Sequence, residues 1–193
     1  GETDFPCIFD ERVGLARSYF KPEAKLSYDS YVDAIKKGGS YVSEGNAHII
    51  DFSVSGIEAG TNDSKLNLKK GQTIKINAKV VARLPQQQTE AAAAIAKSPM
   101  TEQPYWSIER ARIGTTQKVG VELIVNGKPV DTVEITADGK WKDVSFNYKP
   151  THSSWAALRI YPSAHTNPVF VIVDAKPIRD LKSAEWSRKA VDQ

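Results

Sequence analysis

The side chains with most to offer a ligand stand in one short stretch. Trp155, Arg159 and Tyr161 fall in WAALRIY, and His165 and Asn167 follow in the polar loop SAHTNP. Alternation puts Ala156, Leu158 and Ile160 on one face of a strand, and Trp155, Ala157, Arg159 and Tyr161 on the other. An indole, a guanidinium and a phenol in one row are an unusual face to give to bulk water. The rings supply stacking area and the guanidinium a fork of donors. Row and loop together form either a ligand-binding surface or a docking face for another domain. Trp106, Arg110 and Arg112 in YWSIERARI make a second row if that stretch is a strand. Two arginines beside an indole suit a carboxylate, a phosphate or a sugar, or pair with surface acids. Glu2 and Asp4 lie two apart in GETDFPC. In a strand both carboxylates turn towards one ion; in a frayed acidic terminus they do not.

Other chemistries lack their residues. His48, His152 and His165 form no H-x-H or H-x-x-x-H pair to grip a transition metal. There is no G-x-S-x-G elbow, phosphate-binding loop or dinucleotide glycine fingerprint. Cys7 is the single cysteine, beside no histidine motif, so an intrachain disulfide is excluded. A hydrolytic metal site would need carboxylates for most of its ligands. No catalytic residue and no cofactor are therefore assigned to this chain alone. A net charge of +3 without a basic run gives nucleic-acid binding no support. No apolar stretch approaches the roughly 18 residues of a membrane span.

The elements that must hold these residues are mostly short strands. Ser27 caps a helix to Lys37, with Tyr28, Tyr31, Val32 and Ile35 as its stripe and Gly38-Gly39 as its stop. In His48–Val54 the alternation sends Ile50, Phe52 and Val54 inward, with His48 in the same row. Ile74, Ile76, Ala78, Val80, Ala82 and Leu84 form a long half-buried strand ended by Pro85. Residues 85–104 are a Gln-, Ala- and Pro-rich insertion in which Thr89 caps a short helix. Residues 105–113 return to strand. Val119, Val121, Leu123 and Val125 then alternate into Asn126-Gly127, a type I′ hairpin signal. A return strand ends at Asp138-Gly139, and Val144, Phe146 and Tyr148 mark the next. Val169–Val173 is apolar on both faces and is expected to be covered on both. A terminal helix runs from near Ser183 to Val191, with Trp186 and Ala190 at helical spacing. Nine or ten short strands with a helix near each end predict a mainly β fold. It is an antiparallel β-sandwich of immunoglobulin-like or jelly-roll type.

Several stretches together resemble one protein group: GETDFPC, ERVGLARSYF, IKKGGSYVSEG, IERARIG, PSAHTNP and KSAEWSRKAVDQ. They look like the C-terminal part of metallohydrolases in the carbamate-hydrolase-like (CehA/McbA) branch of the PHP superfamily, named for polymerase and histidinol phosphatase. The resemblance implies a metal-binding barrel upstream of a β-sandwich, with a divalent metal in the parent family. It maps Asp4 onto a late metal ligand, with Glu2 beside it, as an incomplete site. Residues 1–40 become the last strand and helix of the barrel, and 41–193 an accessory sandwich with the 85–104 insertion and a C-terminal helix. The chain opens on Gly1 without a charged-then-apolar leader, so it is expected to be a cut or processed form. The implied compartment is periplasmic or secreted.

These readings leave three functions open. The first is a non-catalytic accessory domain docked on its missing catalytic barrel, or self-associating through the face so exposed. The second is a free-standing carbohydrate-binding module. The third is an enzyme using Asp4 with other carboxylates. Docking carries a structural expectation. Arg159 pairs with an acid, and Trp155 or Tyr161 is covered by residues 1–40 or by the Trp186 helix.

Overall fold

The computed structural model describes residues 14–22, 25–99, 101–102 and 107–192. Glu2, Asp4, Cys7 and Trp106 lie outside them. The first half of the chain runs β1 (Arg17–Phe20), α1 (Tyr28–Lys37), β2 (Ser40–Ser43), β3 (Ala47–Val54), β4 (Ile57–Glu58), β5 (Lys65–Leu68), β6 (Ile74–Ala82) and α2 (Glu90–Lys97). The second half runs β7 (Lys118–Val125), β8 (Lys128–Thr136), β9 (Lys142–Tyr148), β10 (Ser154–Ile160), β11 (Ala164–Thr166), β12 (Val169–Val173) and α3 (Leu181–Val191).

Two sheets enclose one core. The smaller is antiparallel in the order β4-β3-β6-β9. The larger has eight strands and is centred on β10. One edge of β10 pairs with β7, Leu158 opposite Leu123 and Arg159 opposite Glu122. From β7 the chain turns back into β8 through Asn126 (φ 47) and Gly127 (φ 81), the positive values a type I′ turn requires. The other edge of β10 is shared. It pairs first with β12, Trp155 opposite Phe170, and then with β11, Arg159 opposite His165. Strands β2 and β1 continue outward from β11, and β5 runs parallel to β12.

The core is built from alternate residues of both sheets. Ile74, Ile76, Ala78, Val80, Ala82 and Leu84 are buried from one side, as their spacing predicts. Val119, Val121, Leu123, Ala156, Leu158 and Ile160 meet them from the other. This is a mainly β, two-sheet sandwich. Among the described residues it has twelve strands, more than the spacing suggests. The surplus comes from pieces of two to four residues, such as β1, β4, β5 and β11, too short to show a period.

Helix ends follow their capping residues. The Ser27 hydroxyl accepts from Ser30 N, the Ser30 hydroxyl accepts from Ser27 N, and Gly38 closes α1 at φ 77. Thr89 caps α2. Helix α1 leans on β1 through Tyr31, edge-on to Phe20 at 5.3 Å. Of the stretch assigned to the end of a barrel, β1 thus pairs with β2 at the margin of the larger sheet.

Three local expectations need correcting. In β3 the ladder to β6 skips two residues between Ile50 and Ser53, and Asp51 takes φ 52. This bulge shifts the phase, so the core row is Ala47, Ile49, Phe52 and Val54, and His48 leaves it. Strand β12 is covered on one side only, because Phe170 is 40% exposed. Ile108–Ala111 is a 3₁₀ turn where a strand was expected, started by the Ser107 hydroxyl accepting from Glu109 N.

The strand phase of β10 sets two substitutions apart. Leu158→Asp places a charge without a partner at a fully buried site and should remove several kcal/mol of stability, about 3 or more. Arg159→Ala, on the outer face, should cost about 1 kcal/mol or less. Urea unfolding of both variants checks this, and equal midpoints would contradict the phase.

Candidate functional site

The row that alternation places opposite the core lies on the outer face of the eight-stranded sheet. Trp155 and Phe170 are direct cross-strand neighbours there, with Ala157 opposite Ile124 in the next rank and Arg159 between Glu122 and His165 in the one after. All of these but Glu122, with Asn167 and Pro168, line a groove of about 370 Å³. The indole of Trp155 rests over the β7–β8 turn, where a Cβ on Gly127 would stand 4.0 Å from it. The turn is fixed to the strand, because Trp155 N donates to Asn126 Oδ1 at 3.0 Å and Asn126 N donates to Trp155 O at 3.1 Å.

The polar members of the row have protein partners. Arg159 Nε donates to Glu122 Oε2 at 2.7 Å, and its guanidinium lies 5.2 Å from the Tyr161 ring centre. Asn167 Nδ2 donates to Gly38 O at 3.1 Å and to Ser40 Oγ at 3.0 Å, so its amide belongs to the fold. His165 is exposed beside the Thr166 carbonyl. The expected acid beside Arg159 is therefore present, contributed by a strand 37 residues away. Trp155 is half-buried, while Tyr161 is 40% exposed. Helix α3 is not the cover: none of its described residues is buried, and Trp186 is 72% exposed.

The second row does not form. With residues 108–111 in a 3₁₀ turn, Arg110 and Arg112 diverge, and Trp106 lies outside the described residues. Arg112 is buried in a two-pronged pair with Glu109, at 2.7 and 3.0 Å, and also donates to the carbonyls of Thr116 and Pro85. Arg110 donates to the carbonyls of Ser98, Pro99 and Glu102. Both guanidinium groups hold the 85–104 insertion against the sandwich. Glu2 and Asp4 lie outside the described residues. Among the described residues no three His, Cys, Asp or Glu side chains converge to hold a metal ion. The divalent metal of the resembled family has no seat there.

Sequence reasoning missed a second concavity. Where β1 and β2 face β3 and β4, the sheets splay around a cavity of about 320 Å³ lined by Tyr19, Tyr41, Ile50 and Phe52. Tyr19 and Tyr41 stack with centres 5.2 Å apart and planes 14° apart, and His48 sets its edge against Tyr19 at 4.9 Å. His48 Nδ1 lies 2.9 Å from the Tyr41 hydroxyl. Burial, with neighbouring Tyr19 adding to it, pushes the Tyr41 phenol up to about 12. At the mouth, Lys21 Nζ stands 3.3 Å from Asp51 and 4.0 Å from Glu58. The one signal in the sequence was Asp51 itself, a lone acid inside the apolar run HIIDFSV.

No protein-family model matches this chain, and no curated protein matches it.

Two outcomes test the site's internal bonds. Arg112→Met leaves the Glu109 carboxylate buried without its partner and should cost about 3–5 kcal/mol in urea unfolding. Tyr41 gives a pH signature. The folded state keeps its proton above pH 10.0, where the unfolded chain loses it, so this stability is whole below 10.0 and falls as pH rises towards about 12. Thermal melts across that window should fall more steeply for the wild-type chain than for Tyr41→Phe.

Proposed function

We propose that this chain is a non-catalytic accessory domain. The outer face of its eight-stranded sheet docks beside the catalytic barrel of a metal-dependent hydrolase and shapes the entrance to that barrel. The observation that carries this reading is the Arg159–Glu122 pair set among Trp155, Phe170, Ala157 and Ile124. A face meant to be covered by protein gains from aromatic and arginine side chains and suffers from any charge left without a partner. Here the guanidinium is neutralised within the sheet, with half-buried Trp155 and exposed Phe170 over buried Ala157 and Ile124 on one side and exposed His165 across the strand edge. The resemblance to the C-terminal part of such hydrolases supplies the partner's identity.

Carbohydrate binding is the second reading, favoured by Trp155 and Phe170 standing side by side on an open face. Sugar modules need donors and acceptors free for hydroxyl groups around the stacking platform. Arg159 and Asn167, the side chains suited to that role, are engaged with Glu122, Gly38 and Ser40. Docking is the better supported of the two.

Titrating xylan, cellulose and chitin oligosaccharides against tryptophan fluorescence should give no saturable change. A saturable quench lost in Trp155→Ala would transfer the face to sugar binding. The reading frame upstream of the Gly1 codon tests the partner. Histidine-rich metal motifs in frame are the expected finding, and a frame that encodes none would overturn the docking proposal.

A further inference from the structure

The cavity between the splayed sheets lies on the opposite side of the larger sheet from the Trp155 face, and nothing in the docking proposal uses it. Its aromatic wall is set in advance. Tyr19 and Tyr41 are already stacked, His48 braces both rings, and the Tyr41 hydroxyl is already bonded to that imidazole. A ligand entering here meets fixed ring faces and edges, and no ring has to be reordered first. The volume, about 320 Å³, falls at the small end of the roughly 300–1,000 Å³ range of small-molecule sites.

The mouth decides the ligand's charge. The β3 bulge holds Asp51 at φ 52, a conformation uncommon for a residue other than glycine, and bulges of this kind re-aim a side chain. It brings the Asp51 carboxylate to the rim, where Glu58 of β4 also lies. Among the described residues one ammonium, Lys21, serves both, which leaves the rim one negative charge in excess. The adjoining polar hollow adds Asp33 and Lys37, whose charges cancel. Lys21 is 72% exposed, and an exposed ion pair of that kind holds weakly. It is a partner that another ammonium can replace.

We infer that this cavity binds a small aromatic amine. The ring lies against Tyr19, Tyr41, Ile50 and Phe52, and the ammonium lies at Asp51 and Glu58 in place of Lys21. An apolar ring with a carboxylate would meet the excess negative charge at the mouth. A neutral alcohol would gain the wall and lose the ion pairs.

The test uses the whole chain and three probes of one shape, phenethylamine, phenylacetate and 2-phenylethanol, followed by calorimetry and by amide shifts at low salt. Phenethylamine should bind saturably, and phenylacetate should not. Glu58→Gln should weaken phenethylamine by about fivefold, the scale of losing one partly exposed charge partner. Asp51→Asn should do the same, because asparagine tolerates the positive φ and keeps the bulge. Lys21→Met removes the internal competitor and should tighten binding. Circular dichroism confirms that each variant is folded, and if Asp51→Asn is not, Glu58→Gln and Lys21→Met carry the test. The inference fails if phenylacetate or phenylethanol binds as well as the amine. It fails equally if folded Glu58→Gln binds like the wild-type chain, or if neither the wild-type chain nor Lys21→Met saturates with phenethylamine.

Discussion

Leu158 is fully buried at the centre of the larger sheet, and its backbone N–H donates to a side chain, the Thr166 hydroxyl, at 3.1 Å. The reason lies across the strand edge. The ladder of β10 runs to β12 as far as Ala156 opposite Val169 and to β11 from Arg159 opposite His165, so Leu158 falls in the gap between the two pairings, where the chain crosses through Asn167-Pro168. A buried amide left open at that break would cost about 1–3 kcal/mol. Thr166 closes the break from within. Asn167, the next residue, fastens the same point to Gly38 and Ser40, and so to the end of α1 and the start of β2. This junction forks the sheet into one arm, β11-β2-β1, and another, β12-β5. The outer groove opens at the fork, and the inter-sheet cavity lies beneath the first arm. Thr166 lines both.

The fork also explains which parts of the fold were legible in the sequence. Strands β6, β7 and β10 run seven to nine residues and their core faces were readable from alternation, although Ile124 and Ala157 on the other side of β7 and β10 are buried as well. In β11 and β12 the interruption at Asn167-Pro168 leaves pieces of three and five residues. Composition alone then suggested that β12 was covered on both faces, whereas the open groove leaves Phe170 exposed. The bulge at Asp51 defeated alternation in β3 in the same way, because one inserted residue sends every later side chain to the other face. Residues 108–111 failed for a different reason. Glu109 and Arg112 are three apart, a spacing that fits a turn of helix and lets the pair close on itself while buried.

Of the candidate site, the sequence showed the row on β10 but not its chemistry. Whether Arg159 faces a ligand or an acid depends on Glu122, which arrives through strand pairing and carries no local signal. The same holds for Asn167, whose partners lie 127 and 129 residues away. The cavity was less visible still. Its walls come from β1, β2 and β3, and only folding brings these together. A site assembled from short strands and a bulge leaves no motif, because each contributor is an ordinary residue in its own segment.

The two concavities are built from similar parts, aromatic rings beside an ion pair, and differ in charge balance. On the outer face one guanidinium meets one carboxylate with Nε 2.7 Å from the oxygen. That pair is complete, so the surface attracts by apolar area and shape, the terms that govern contact with another folded surface. At the cavity mouth one ammonium stands between two carboxylates at 3.3 and 4.0 Å. Among the described residues that arrangement is one cation short, and it stands beside a wall of stacked tyrosine rings. The two concavities are close in volume, about 370 and 320 Å³, so charge balance is what separates the two proposals: docking for the neutral face, and a small cation for the anionic mouth. Because Thr166 and Asn167 fix the fork between them, both depend on the hydroxyl and the amide that repair the break at Pro168.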